Sequence, residues 1–155
     1  MEIDMLSKAI MIAARAHVDQ VDKGGHPYIL HPLRVMKSVD GYETQQIAVL
    51  HDTVEDCPEI TLNYLRQEGF TERVISGIAC MTKIKGEPYE DYLCRVETNV
   101  DSIRVKLADL KDNSDITRLK GITDKDFERM KKYHKAFLRL TAKLNEIKTK
   151  IMVDK

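Results

Sequence analysis

The sequence predicts an all-α fold in a single domain, and three observations carry that expectation. Apolar residues recur at three- and four-residue spacing in one segment after another, no alternating segment of strand type has useful length, and capping residues, glycines and prolines punctuate the segments. The chain has 155 residues, which suits one domain. A chain of that size buries roughly two-thirds of its unfolded surface. There is no internal repeat, low-complexity tract or linker, so one domain is expected over residues 1–155, with its core in 5–140.

Met5, Ala9, Ile12, Ala13 and Ala16 form one apolar stripe, which predicts a helix over 4–20 that Gly24-Gly25-His26-Pro27 breaks. A second helix follows Pro32, with Leu33, Val35, Met36 and Val39, and ends at Asp40-Gly41. A third runs from Thr44 to Val54 and stops at Cys57-Pro58. Thr61 has the position of an N-cap for a short helix over 62–68, which Gly69 closes, and Thr71 caps another that reaches Thr82. After the loop Gly86-Glu87-Pro88 come a short helix, Tyr89 to Glu97, and a longer one, Val100 to Arg118. Within the latter, 103–108 is the stretch nearest in pattern to a strand, and it is read as helix. Thr123 and Asp126 resemble a capping box with Asp in the usual place of Glu, and open a long final helix with a Lys-rich end.

Composition narrows the function. Lys+Arg and Asp+Glu balance at 25 each, which removes the broad positive footprint of a nucleic-acid binder yet leaves room for a local basic pocket. No apolar run approaches the ~20 residues that span a bilayer, and the N-terminus lacks the layout of a signal peptide. Cys57, Cys80 and Cys94 have no C-x-x-C spacing and are expected as reduced thiols in a cytoplasmic protein.

The chemistry-bearing residues fall in three stretches. In Ala48-Val49-Leu50-His51-Asp52-Thr53-Val54-Glu55-Asp56, an apolar run leads straight into an imidazole and three carboxylates. On a continuous helix His51 and Glu55 would be neighbours, as would Asp52 and Asp56, and like charges at that spacing call for a cation. Read alone, the same run also fits a solvated acidic helix end. Pro27-Tyr28-Ile29-Leu30-His31-Pro32 holds a histidine at a loop-to-helix junction. Asp109 follows Leu107-Ala108 and precedes Asn113 by one turn, so it is expected to face inward, at a cost of several kcal/mol unless it is paired or metal-bound. His31, His51, Asp52 and Asp109 together form a nitrogen/oxygen set without thiolates, which suits manganese, iron or zinc in a hydrolytic site. Such an ion lowers the pKa of a bound water and polarises a phosphoryl oxygen, and Glu55 or Asp56 can take a proton or orient the water. His17 and His134 read as surface histidines, His26 as a loop residue, and the lysines of 131–150 as a solvated face.

These motifs, PYILHP, His51-Asp52 followed by Glu55-Asp56, and KLADLKDN, resemble the hydrolase domain of the RelA/SpoT-type stringent-response enzymes, an HD-domain helical bundle, over residues 5–140. The resemblance implies metal-dependent hydrolysis of the 3′-pyrophosphate of guanosine 3′,5′-bispyrophosphate, with a small phosphorylated nucleotide as partner. Its usual divalent ion is manganese; iron, zinc and magnesium are compatible, and so is a homo-oligomer. It makes His31, His51, Asp52 and Asp109 the metal ligands and Glu55 and Asp56 the pair that activates water. Asn113 matches a residue near the ribose, Lys23 a basic residue near the phosphates and Tyr133 an aromatic of the substrate pocket. Thr82-Lys83 matches a Thr-Lys pair that is either a pocket wall or a helix end. Two positions depart from the pattern. Asp22 stands where an arginine often lies against the guanine, and Asp109-Leu110-Lys111-Asp112-Asn113 replaces a frequent Asp-Arg-Leu-His-Asn. An HD phosphohydrolase acting on another nucleotide or on NADPH is therefore the alternative.

Overall fold

The computed structural model describes residues 4–153 as helices α1 (Met5–Ala16), α2 (Leu30–Lys37), α3 (Tyr42–Leu50), α4 (Thr53–Asp56), α5 (Leu62–Gln67), α6 (Glu72–Met81), α7 (Tyr89–Val96), α8 (Val100–Asn113) and α9 (Asp124–Val153). A 3₁₀ turn, Ile116–Arg118, lies between the last two. An isolated bridge joins Val21 to Pro27, and no strand forms among the described residues, so 103–108 is helical as expected. No helix among them is long and apolar enough to cross a membrane.

The helix starts are chemically determined. Asp4 accepts the amides of Leu6 and Ser7, Thr61 that of Tyr64, Thr71 that of Val74 and Asn99 that of Ser102. At α9 the Thr123 amide donates to Asp126 and the Asp126 amide to Thr123 Oγ1, which is the reciprocal box expected there. Each such cap is worth about 1 kcal/mol. Gly69, at φ +96°, takes the left-handed turn that ends the α5 segment, a conformation other residues reach only under strain.

Packing centres on α3, most of which is enclosed: Thr44, Gln46, Ile47, Ala48, Val49 and Leu50 are all buried. Around it lie α1, α2, α6 and α8, whose apolar faces form one core with Ala9, Ala13, Val35, Val74, Ile78 and Val105. A second core joins α7, α8 and α9 through Tyr92, Leu93, Val96, Ile103, Leu110, Ala136 and Leu140. A polar tie links three helices at the end of α3 remote from His51. Thr44 Oγ1 and Arg73 donate to buried Asp101 at 2.8–3.1 Å, and the Arg73 guanidinium holds that carboxyl below its ordinary pKa.

Four expectations need correction. Helix α1 stops at Ala16 because the chain turns at His17, and that histidine is buried: its Nδ1 meets Gln20 Oε1 at 2.7 Å and its ring packs on Tyr28 at 4.9 Å. Helix α2 begins at Leu30, before Pro32, because a proline in the first turn lacks only an amide that has no helical partner there. The third helix breaks at His51-Asp52 and resumes as α4. Helix α8 ends at Asn113, since the Ser114 hydroxyl takes the Leu110 carbonyl and Asp115 caps the separate 3₁₀ turn.

Gly77 of α6 packs directly against Ile47 of α3. A Cβ there would lie 2.4 Å from Ile47 Cδ1 and 2.9 Å from Cγ1, and Ile47 is fully buried. Gly77→Ala is expected to lower the unfolding free energy by about 1–3 kcal/mol, as overpacking does. Urea denaturation of the two proteins would measure it, and an unchanged midpoint would mean that Ile47 has room to move.

Candidate metal centre

Neighbouring residues on a helix diverge by about 100° around its axis, and His51 and Asp52 converge here where α3 ends and α4 has yet to begin. His51 Nδ1 donates to the Ala48 carbonyl at 2.7 Å and the Thr53 hydroxyl to the Leu50 carbonyl at 2.8 Å, so side chains take up carbonyls at the end of α3. His51 Nε2 and Asp52 Oδ2 then come within 3.1 Å of one another.

Helix α2 brings His31 to the same point and α8 brings Asp109. His31 Nε2 lies 3.1 Å from Asp109 Oδ1 and 3.7 Å from Asp52 Oδ2, and His51 Nε2 lies 3.6 Å from Asp109 Oδ1. The outer nitrogen of His31 faces Asp112 Oδ2 at 2.6 Å. Carboxylates and carbonyls only accept, so in the neutral form both imidazoles carry their proton on Nδ1 and turn the Nε2 lone pair inward. The buried Nε2 of His51 has no hydrogen-bond partner among the described residues, although Asp52 stands 3.1 Å from it. His31, His51 and Asp52 each offer a donor atom within 4.8 Å of the others, and Asp109 joins them through the two imidazoles. Ion-to-ligand bonds of about 2.0–2.2 Å leave neighbouring donors about 3–3.5 Å apart, so these residues fit a divalent cation.

Electrostatics agree with the geometry. Burial works against a charge on His51, but Asp52 and Asp109 overcome it and hold the imidazole well above its ordinary pKa. His31 is raised in the same way by Asp109 and Asp112 against its burial. Burial would raise Asp109, yet Lys106 and the two histidines keep it well below the ordinary carboxylate range. Lys106 Nζ donates to Asp109 Oδ2 at 2.8 Å and the Asn113 amide to Oδ1 at 2.6 Å, while the Tyr28 hydroxyl donates to Asp52 Oδ2 at 2.6 Å. Asp56 has no such cation at hand; burial and nearby Asp52 raise its pKa.

The four donors lie at one side of a cavity of about 440 Å³. Lys23, Glu55, Asp56, Asn113 and Tyr133 also line it, so the residues expected to hold the ion, activate water and contact substrate share one space. Lys83 lines it as well, whereas Thr82 serves as the end of α6; the pair is divided between the two readings. Glu55 accepts from the Lys83 amide at 3.2 Å, and the Lys83 ammonium stands 3.7 Å away. Sequence reasoning missed Tyr28, Lys106, Asp112, Arg118, Arg129 and Lys132. Only Lys106 carried a signal, as a charged residue inside the apolar run that leads to Asp109.

No family model matches the chain. It is 30% identical over 139 residues to the guanosine-3′,5′-bis(diphosphate) 3′-pyrophosphohydrolase of Vibrio cholerae, covering 83% of this chain and 20% of that protein. With the protein of the same description from Aquifex aeolicus the identity is 35% over 119 residues, covering 71% and 17%. The bifunctional (p)ppGpp synthase/hydrolase SpoT of Escherichia coli K12 is 30% identical over 126 residues, covering 72% and 18%. The chain thus spans about a fifth of the length of the curated relatives it matches. A solved structure, described as a metazoan ortholog of SpoT that hydrolyzes ppGpp, superposes with a TM-score of 0.73 at 19% identity, over 95% of both chains. In sequence and in fold, the chain is a relative of the SpoT/RelA-type proteins and has the all-helical fold of their HD hydrolase domain.

Proposed function

We propose that this chain is a metal-dependent phosphohydrolase that removes the 3′-pyrophosphate of guanosine 3′,5′-bispyrophosphate or its pentaphosphate, giving GDP or GTP and pyrophosphate. The observation that carries the reading is the convergence of two imidazole Nε2 atoms and two carboxylates beside a cavity whose other wall is basic. His31, His51, Asp52 and Asp109 would hold the ion, with manganese the best candidate. Bound there, a divalent cation supplies a polarised phosphoryl oxygen and a water of lowered pKa.

The chain's own groups divide the remaining work. Asp56, whose pKa burial and Asp52 push upward, takes the proton of the attacking water. Glu55, held by the backbone and ammonium of Lys83, orients that water. The cationic wall receives the phosphates: burial and the like charges of Lys83 and Lys106 depress the Lys132 pKa, a strain that an anion relieves. Lys23 and Arg129 extend that wall, and Asn113 and Tyr133 face the nucleoside. The setting is one domain with its compartment in the cytoplasm, a reading supported by three unpaired cysteines.

A second reading has a specific observation behind it. Asp22 commits one carboxylate oxygen to the amides of Gly24 and His26 and turns the other toward Arg118, so nothing at this position can lie against a guanine. Hydrolysis of another nucleotide ester, or of the phosphate of NADPH, follows from the same centre.

Manganese-loaded protein incubated with guanosine tetraphosphate should release pyrophosphate and GDP in a chelator-sensitive reaction; a metal-loaded protein that releases neither would transfer the assignment to the alternative esters. His51→Ala and Asp109→Ala are each expected to weaken metal binding by about 100-fold or more and to abolish turnover, since outer-shell changes alone cost 10–100-fold. Wild-type metal content in either variant would remove the site. Glu55→Gln should keep the metal and lose about 100-fold in kcat, and a fully active variant would take Glu55 out of the mechanism.

A further inference from the structure

Behind His31 lies a chain of charged groups that the hydrolytic reading does not use. Asp112 accepts from His31 Nδ1 at 2.6 Å, from Arg34 Nε at 2.7 Å and Nη2 at 3.1 Å, and from Arg118 Nη2 at 3.1 Å. The same Arg118 nitrogen also donates to the Asp112 backbone carbonyl. On its other side, Arg118 Nη1 stands 3.5 Å from Asp22 Oδ2. Asp22 in turn holds the loop that follows α1, accepting the amides of Gly24 at 2.8 Å and His26 at 2.9 Å. The loop lies hard against the 3₁₀ turn, for a Cβ on Gly24 would fall 2.5 Å from the Arg118 carbonyl oxygen. At its far end, the Tyr28 hydroxyl donates to Asp52. The loop that carries Lys23 is thus tied to the centre twice, through Arg118 and Asp112 to His31 and through Tyr28 to Asp52.

We propose that Asp112 and Arg118 are positioning residues that clamp the His31 imidazole to the Val21–Tyr28 loop, so that the grip on the metal and the placement of Lys23 are set together. The inference rests on His31 being a metal ligand. A carboxylate on the outer nitrogen fixes the tautomer and plane of a ligating imidazole and raises its basicity. That carboxylate is itself held by the Arg34 fork and by Nη2 of Arg118, whose Nη1 faces Asp22, so one planar guanidinium spans the two acids as a lysine could not. The bland alternative is a partly exposed ion-pair network that contributes about 0–1 kcal/mol per pair to stability and nothing to the centre.

Manganese titrated calorimetrically into metal-stripped protein separates the two. Asp112→Asn is expected to weaken binding by about 10–100-fold with an unchanged circular dichroism spectrum. Arg118→Ala should weaken it by about 3–10-fold, and the double variant should be no weaker than Asp112→Asn within about twofold, because both act through one chain of contacts. Arg118→Lys keeps the charge but loses the two-nitrogen bridge between Asp112 and Asp22, so it should stay near Arg118→Ala. Wild-type affinity in folded Asp112→Asn would overturn the clamp. Strictly additive losses, or full rescue by lysine, would overturn the role of Arg118. Should Asp112→Asn fail to fold, wild-type manganese affinity in Arg118→Ala would overturn the clamp by itself. The readout needs no substrate, so a failure of guanosine tetraphosphate turnover leaves it unaffected. A wild-type protein that takes up no manganese overturns the clamp and the metal reading together.

Discussion

The buried carboxylate of Asp109 is the constraint around which the centre is arranged. It sits on a helix that is buried on both sides, and an unpaired charge there would cost several kcal/mol. Lys106 one turn earlier and Asn113 one turn later satisfy its two oxygens. Lys106 is buried too, and although burial disfavours its charge, Asp109 keeps its pKa above the ordinary value. That ion pair is neutral in sum, so the Asp52 carboxylate and the two inward-turned imidazoles remain to be satisfied. The upward displacement of both histidine pKa values expresses the same demand for positive charge at this point. One divalent ion would meet it where protons otherwise have to.

The fold supplies the rigidity such a centre requires. Helix α8 spans both cores, giving Val105 and Ala108 to one and Ile103 and Leu110 to the other, and its polar pair Lys106 and Asp109 faces the cavity at the seam. Helix α3 is buried from Gln46 to Leu50 and packed by four neighbours, so its C-terminal end has little freedom to shift. The four donor residues therefore stand on α2, on the end of α3 and on α8, three elements held by packing. The loop with Lys23 and Tyr28 is the less regular part, and it is the part with ionic and hydrogen-bonded ties to the centre.

Much of this was legible in the sequence because it depends on local rules. Thr61, Thr71 and the Thr123–Asp126 box announce helix starts by their side chains alone. The four residues expected as ligands, which the fold does bring together, stand out through acids and imidazoles beside apolar runs and through a recognisable set of motifs. What escaped depends on the third dimension. Nothing local distinguishes His17 from a surface histidine, because its burial comes from Tyr28 folding over it. The break at His51-Asp52 sits inside a good helical pattern and exists because side chains capture the Ala48 and Leu50 carbonyls. Asp112 is separated from Arg34 by 78 positions, and a departure from a motif does not reveal a new set of partners.

The two departures also meet in one contact. Asp22 and Asp112 are both acids, and the guanidinium of Arg118 lies between them. A basic residue at position 22 would repel Arg118 across the same gap, so the acid there is a structural requirement of this chain's own arrangement. Selectivity for a base must then arise from surfaces that remain uncommitted in the cavity. Tyr133 offers an aromatic face, and Tyr89 lines the cavity with a buried hydroxyl that has no partner and with the Lys132 ammonium 3.9 Å above its ring. On the proposed function, the four donors and the basic lining would serve a chemistry shared with the relatives, and these aromatic surfaces would set the preference of this chain.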